Sequence, residues 1–289
     1  MSPYLNAWLY VVLTAISFVF IDKIGDHINP LFSLFVMSLI ASIWFNIINV
    51  ETIKHTYKAC FNNKSLYFSM TFFIGINWLC SIYAPNRADP FVYLATVSAI
   101  RAMCGFIKLF IDHKSKHSLL SVLLLAISLL ILYKHYQMLG TKNIDIGIGL
   151  GILSGISGYY YLTTSYRLSI QNNLSSTQLL AIRFWPLVLS LGLFIIYQYS
   201  FSLGFNNFII LVFMAFITLI VPIYFYQQAI GKLGVISTIL TVSFVPPCAF
   251  IIYVLYNHHF KPINFVVCLI ITLALIIPNL IKFVGSSRK

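Results

Sequence analysis

Long apolar runs separated by short polar stretches set the pattern of this chain. Ten runs of helix-spanning length can be read, at about 4–21, 30–50, 66–84, 90–111, 118–136, 145–166, 176–199, 207–227, 233–256 and 262–283. They predict an all-α integral membrane protein with ten transmembrane helices. Ten-residue segments of alternating hydrophobicity, the mark of a membrane barrel, do not occur. The longest connector is 51–65, 15 residues, which leaves no room for a soluble domain. The first run has no basic stretch before it and no small-residue cleavage pattern after it, so it reads as a first membrane helix rather than a removed signal peptide.

One run breaks the apolar rule. The 22 residues of 90–111, PFVYLATVSAIRAMCGFIKLFI, place Arg101 near the middle of a span. A guanidinium at that depth is costly, and by default it marks a functional site. The same stretch has an echo. Ala84, Arg87, Thr96, Val97 and Ser98 recur 145 positions on, without a gap, as Ala229, Lys232, Thr241, Val242 and Ser243. The echo divides the chain into halves at 1–143 and 144–289, each with five predicted helices. An odd number per half makes the second half enter the membrane from the opposite side. Such inverted repeats place a binding site near the midplane, open to each side in turn.

Composition agrees with the pattern. The chain is 60% hydrophobic and 8% charged, with a mean hydropathy of +0.92, against about 25% charged residues in soluble domains. The formal charge of +12 would point to nucleic acid in a soluble protein. Here the cations sit mainly in connectors, so they speak to orientation in the bilayer and no nucleic-acid partner is expected. With the N-terminus inside, inner connectors and the tail carry ten Lys and Arg: Lys54, Lys58, Lys64, Lys114, Lys116, Arg167, Lys232, Lys282, Arg288 and Lys289. Outer connectors carry five: Lys23, Arg87, Lys134, Lys142 and Lys261. The bias puts both termini in the cytoplasm. The Lys-, Asn-, Phe- and Ile-rich composition fits an AT-rich bacterial genome, hence a bacterial inner membrane.

Several chemistries find no support. The five cysteines are singletons without metal-ligand or redox spacing, so neither a metal site nor a disulfide framework is expected. There is no phosphate-binding loop, and no cofactor is expected. All six acidic residues, Asp22, Asp26, Glu51, Asp89, Asp112 and Asp145, fall in connectors or at helix ends. A carboxylate-based proton relay therefore has no residues to use, and the chain reads as a non-enzyme. A membrane-embedded enzyme or structural subunit is the remote alternative.

The five-plus-five layout, the step YFYQQAIGKLGVISTILTVSFVPPCAFIIYVLY at 224–256 and the stretch SSTQLLAIRFWPLVLSLGLF at 175–194 together resemble the drug/metabolite transporter superfamily, in its ten-helix EamA-like branch. The resemblance covers nearly the whole chain. It implies a secondary transporter working by alternating access, with a cavity lined by the first, third, fourth, sixth, eighth and ninth helices, and a homodimer as a possibility. The first half departs from the family pattern: Arg101 stands where proline is commoner, and Met37 where the second helix often has its arginine.

The candidate substrate-binding residues are Arg101, Asn77, Trp78, Ser98, Tyr160, Arg183, Tyr224 and Gln228. Arg101 needs a partner. Carbonyls freed by Pro246 and Pro247, cavity water, or an anionic group on the cargo can supply one. Ser98, Cys104, Gly105 and Lys108 share its helix face. Asn77 with Ser81, and Tyr224 with Gln228, are polar pairs at helical spacing; each serves equally as cavity lining or as an interhelical hydrogen bond. Arg183 is either a structural arginine, as the resemblance implies, or a second ligand. Gly147, Gly151 and Gly155 form a small-residue ridge for close helix packing. In the run Tyr159 to Tyr161 at least one ring should face inward, and Tyr160 and Tyr161 are candidates for stacking on cargo or for core packing. The expected cargo is a small polar metabolite with an anionic group, of amino acid or organic acid type, moved by export or exchange. The alternative is a nucleotide-like or cofactor-like solute such as S-adenosylmethionine, which the aromatic content would suit.

Overall fold

The structure is a computed structural model that describes residues 2–24, 29–84, 89–141, 143–198 and 204–286. The cations Arg87, Lys142, Arg288 and Lys289, and the Arg87–Lys232 pairing of the echo, lie outside these residues or depend on them. The described residues are almost wholly helical and contain no strand. Among the described residues, seven helices are long and apolar enough to cross a membrane, and the shorter apolar stretches Pro3–Phe18 and Pro262–Pro278 flank them. Large apolar side chains such as Ile47, Phe68, Leu189, Leu193 and Ile196 are exposed on the outside. A surface of this kind suits lipid and not water. The chain is an all-α, multi-pass membrane protein.

The helices in order are α1 (Pro3–Ile24), α2 (Pro30–Ile48), α3 (Ile53–Asn62), α4 (Lys64–Tyr83), α5 (Pro90–His113), α6 (Lys116–Met138), α7 (Ile144–Asn172), α8 (Ser176–Arg183), α9 (Trp185–Gln198), α10 (Phe205–Met214), α11 (Val221–Leu233), α12 (Val235–Val242), α13 (Val245–Asn257) and α14 (Pro262–Ser286). Their ends follow local chemistry. Asn29 and Asp89 cap α2 and α5, each accepting backbone N–H bonds ahead of a proline in the first turn. Ser175 and Gln178 form a reciprocal capping box on α8. Lys114, Asn143, Asn173 and His258 take left-handed conformations at helix junctions.

The structure refines the predicted elements in two ways. The 51–65 connector is not a loop. It forms a short 3₁₀ turn and the amphipathic helix α3, which buries Thr56, Ala59 and Cys60 and exposes Lys54, His55, Lys58 and Phe61. Three of the predicted spans are also interrupted. The run 176–199 breaks at Phe184, 207–227 contains a π-helical stretch at Ala215–Ile220, and 233–256 breaks at residues 243–244. Each interruption lies beside a proline: Pro186, Pro222 or Pro246 with Pro247.

At two of the breaks, the carbonyl that the proline leaves bare is met by a side chain from earlier in the sequence. Pro186 has no N–H for the Ile182 carbonyl, and the Tyr67 hydroxyl donates to it instead at 3.2 Å. The neighbouring Ala181 carbonyl accepts from Asn46 Nδ2 at 2.8 Å. In the π register a carbonyl looks five residues on for its donor. For Ile217 that residue is Pro222, and Ser17 Oγ lies 2.9 Å from the Ile217 oxygen. Ser243, at the third break, places its hydroxyl 3.2 Å from the Ser98 carbonyl, its own counterpart in the echo.

Helix packing joins the two ends of the chain. α4 and α5 pack on α7, α1 packs on α11, α12 and α13, α2 packs on α8 and α9, and α6 packs on α14. One buried apolar cluster fills the space among α1, α2, α4, α7, α8, α9 and α11, and a second joins α5, α6 and α14. The site lies within the first.

Candidate binding cavity

A small cavity of about 70 Å³ lies among six helices and the π-helical stretch, lined by Tyr10, Thr14, Ile74, Asn77, Trp78, Arg101, Gly158, Tyr161, Arg183, Thr218, Ile223 and Tyr226. Its construction begins with glycines on α7. A methyl group at Gly151 would sit 2.8 Å from Thr96, and one at Gly155 would sit 2.7 Å from Ile100. The bare ridge therefore lets α5 approach α7 closely. Gly158 continues it. A Cβ there would lie 2.5 to 2.8 Å from Nη2, Nε and Cζ of Arg101. The Arg101 guanidinium thus rests on a backbone stripped of its side chain.

Two arginines meet the cavity. Arg101 Nη1 makes a long contact, 3.4 Å, to the Tyr226 hydroxyl, the guanidinium also interacts with the Tyr10 hydroxyl, and its buried Nε has no partner. Tyr226 in turn stacks on Tyr10, with ring centroids 4.3 Å apart. Arg183, at the last residue of α8, is 1% exposed. Its Nη1 donates to the Tyr161 hydroxyl at 2.8 Å. Tyr161 donates onward to Gln227 Oε1 at 2.9 Å, and Gln227 Nε2 donates to Ser165 Oγ at 2.9 Å. Arg183 also lies over the Phe184 ring at 4.2 Å. Its Nε and Nη2 are buried without partners, as is Trp78 Nε1.

The charge balance is one-sided. Guanidinium keeps its proton in proteins, and no carboxylate lines the cavity. Both ion pairs among the described residues lie elsewhere, Lys108–Asp112 near the end of α5 and Lys261–Asp89 joining the starts of α14 and α5. Buried charge without compensation is expensive. The arrangement can accept an anion or hold water, and the polar groups beside the two cations are the hydroxyls of Tyr10, Thr14, Tyr161, Thr218 and Tyr226 and the side chains of Asn77 and Trp78. No group of three His, Cys, Asp or Glu side chains able to hold a metal occurs among the described residues.

The structure brings four of the candidate residues, Arg101, Asn77, Trp78 and Arg183, to this cavity. Asn77 is partly committed, since its Nδ2 donates to the carbonyl and hydroxyl of Ser154 at 2.9 and 2.8 Å. The other four are not among its lining. Ser98 is buried, and its carbonyl accepts from Ser243. Tyr160 is 47% exposed and stacks on Phe73. Tyr224 and Gln228 are half-buried on another face of α11. The neighbours on each helix do the lining instead: Tyr161 in place of Tyr160, and Tyr226 in place of Tyr224, with Gln227 buried behind it. Sequence reasoning also missed Tyr10, Thr14, Gly158 and Thr218. Gly158 alone had a legible signal, three residues beyond Gly155 on the same ridge.

No protein-family model matches the chain, and no curated protein matches it in sequence. A solved crystal structure, described only as that of a protein, shares its fold with a TM-score of 0.67 at 11% identity, over 97% of this chain and 97% of the other. The likeness speaks to the fold alone.

Proposed function

We propose that this protein is a secondary transporter of a bacterial inner membrane, both termini cytoplasmic, built as two inverted five-helix halves of the EamA-like type. It moves a small anionic or zwitterionic metabolite, of amino acid or organic acid type, by export or exchange. The observation that carries this reading is the small cavity at the heart of the bundle with two arginines, Arg183 buried and Arg101 half-buried, and no carboxylate. Arg101 holds the anionic group, and Asn77 and Trp78 shape the space around it.

The packing supports two related halves. Exchanging each half's helices for their counterparts maps α4 on α7 onto α1 on α11, α5 on α7 onto α1 on α12 and α13, and α5 on α6 onto α13 on α14. The pairs α2 with α8 and α9, and α6 with α14, map onto themselves. The cavity size supports alternating access. At about 70 Å³ it holds a few waters, whereas ligand sites occupy roughly 300–1,000 Å³. Cargo therefore enters only when helices separate, and the interruptions at Phe184, Ala215–Ile220 and 243–244 supply bending points.

The test is a thermal-shift screen of the detergent-purified protein against amino acids, organic acids, polyamines and nucleotide-type solutes, repeated on Arg101→Gln. A ligand of the folded state raises the melting temperature by mass action. An anionic or zwitterionic solute that stabilises the wild type, and the variant far less, is the expected result. Stabilisation of both proteins by a cation or nucleoside-like solute alone would make Arg101 structural. The stacked Tyr10 and Tyr226 and the unpartnered Trp78 N–H would then favour a nucleotide-like cargo.

A further inference from the structure

Resting on the reading of the cavity as the cargo site, we infer that Arg183 is its preorganised oxyanion fork, taking a carboxylate or phosphate through the Nε–Nη2 edge. A guanidinium has two ways to grip an oxyanion with paired N–H groups, and the Nε–Nη2 edge is one. In Arg183 this edge is vacant while the rest of the group is fixed. Nη1 is tied to Tyr161, whose own proton goes to Gln227, whose amide goes to Ser165. Every donor in that chain faces an acceptor, so the direction of each bond is set. The Phe184 ring covers one face of the guanidinium. Arg183 is 1% exposed, lines the cavity, and leaves both fork nitrogens unpartnered.

Unsatisfied donors of this kind are rare in folded proteins and call for a partner. Water can satisfy hydrogen bonds but leaves the charge uncompensated; an oxyanion supplies both. Arg101 differs. It is half-buried, its Nη1 contact to Tyr226 is long, and it rests on Gly158. Both arginines hold the anionic group, Arg101 chiefly through its charge and Arg183 through its fixed geometry. Tyr161 and Gln227 are positioning residues, acting through Arg183. A fork distinguishes planar or tetrahedral oxyanions from a spherical halide of equal charge, and lysine cannot replace it.

The experiment titrates the melting temperature of the full-length, detergent-purified protein with sodium acetate, inorganic phosphate and sodium chloride at matched ionic strength. Variants Arg183→Lys, Tyr161→Phe and Arg101→Gln are titrated alongside. The expected result is stabilisation by acetate or phosphate and not by chloride, the stronger of the two telling carboxylate from phosphate cargo. Arg183→Lys should weaken the oxyanion effect about 10- to 100-fold, the loss of one charge-assisted hydrogen bond. Tyr161→Phe removes one oxygen atom and keeps both arginines, so it tests positioning even if Arg183→Lys does not fold. It should weaken binding several-fold. Arg101→Gln should bind more weakly yet still prefer oxyanion to chloride. Equal response of the wild type to acetate, phosphate and chloride would overturn the fork. So would unchanged oxyanion binding in both Arg183→Lys and Tyr161→Phe, and that result would leave the anionic-cargo reading standing. No response to any anion, together with no anionic hit in the metabolite screen, would overturn both.

Discussion

Replacing Gly158 with alanine separates the position of the Arg101 guanidinium from its charge. The added methyl would lie 2.5 Å from Nη2 and 2.7 Å from Nε. Ordinary contact needs about 3.5 Å, so the guanidinium must move by roughly 1 Å. It can do so, because these atoms are the far end of a flexible side chain. The stability terms nearly cancel. Alanine gains about 1 kcal/mol over glycine in a helix interior, and loss of the long Tyr226 contact costs about 1 kcal/mol. Gly155→Ala is the contrast. Its methyl meets Cβ of Ile100 at 2.7 Å and the Val97 carbonyl at 3.0 Å, both fixed to the α5 backbone. Relief there requires α5 to leave α7, at about 1–3 kcal/mol or more. Gly149→Ala, with no atom within 4 Å of its methyl, is the control. The assay is thermal unfolding in detergent with and without the solute that stabilises the wild type. Gly158→Ala should melt within a few degrees of the wild type yet lose about tenfold in ligand affinity, and Gly155→Ala should melt well below both. If Gly158→Ala binds ligand as the wild type does, Arg101 does not touch the cargo. If it melts as low as Gly155→Ala, the guanidinium is not free to move and the packing argument fails.

Three further predictions concern the frame. Ser17→Ala removes the hydroxyl beside the Ile217 carbonyl, which Pro222 cannot serve, and should cost about 1–2 kcal/mol, measured as a lowered midpoint in thermal unfolding; an unchanged midpoint would mean the π-helical stretch is held otherwise. Tyr67→Phe removes the donor to Ile182 at the α8–α9 break and should destabilise by about 1 kcal/mol, whereas Tyr83→Phe, at an exposed position, should be neutral in the same assay. Cys60 lies in α3, outside the spans, and burial pushes its thiol up to about 11. Because the thiolate is the reactive form, iodoacetamide labelling of the folded protein should be slow at pH 8 and rise about tenfold per pH unit towards 11; fast labelling at pH 8 would refute the burial of α3 against its neighbours.

How far the sequence carries the fold depends on which signal is read. The long apolar runs located the helices to within a few residues because bilayer thickness fixes their length. The breaks at Phe184 and 243–244 were less visible. Proline announces a missing donor, yet whether the helix kinks, ends or shifts to a π register depends on a side chain arriving from elsewhere, such as Tyr67 or Ser17. α3 was missed because ten residues with lysine and histidine read as a connector until its buried face has something to pack on. At the cavity, Arg101, Arg183, Asn77 and Trp78 were legible because polar groups inside apolar runs are costly. The offsets of one or two residues between candidates and cavity lining, Tyr160 beside Tyr161 and Tyr224 beside Tyr226, have a common origin. Neighbours on a helix differ by about 100° in direction, and no periodic polar face on α7 or α11 says which of them looks inward. Gln227 shows the same limit, since its value lies in joining Tyr161 to Ser165 across two helices.

Transport itself is tested most directly in proteoliposomes loaded with a defined mixture of amino acids, organic acids, polyamines and nucleosides, by measuring with mass spectrometry what each vesicle population retains over time. The account predicts that wild-type vesicles lose one or a few anionic or zwitterionic solutes faster than protein-free vesicles, and that Arg101→Gln and Arg183→Lys vesicles retain them. Loss of no solute, or loss of polyamines or nucleosides alone at equal rates in the wild type and both variants, would contradict it.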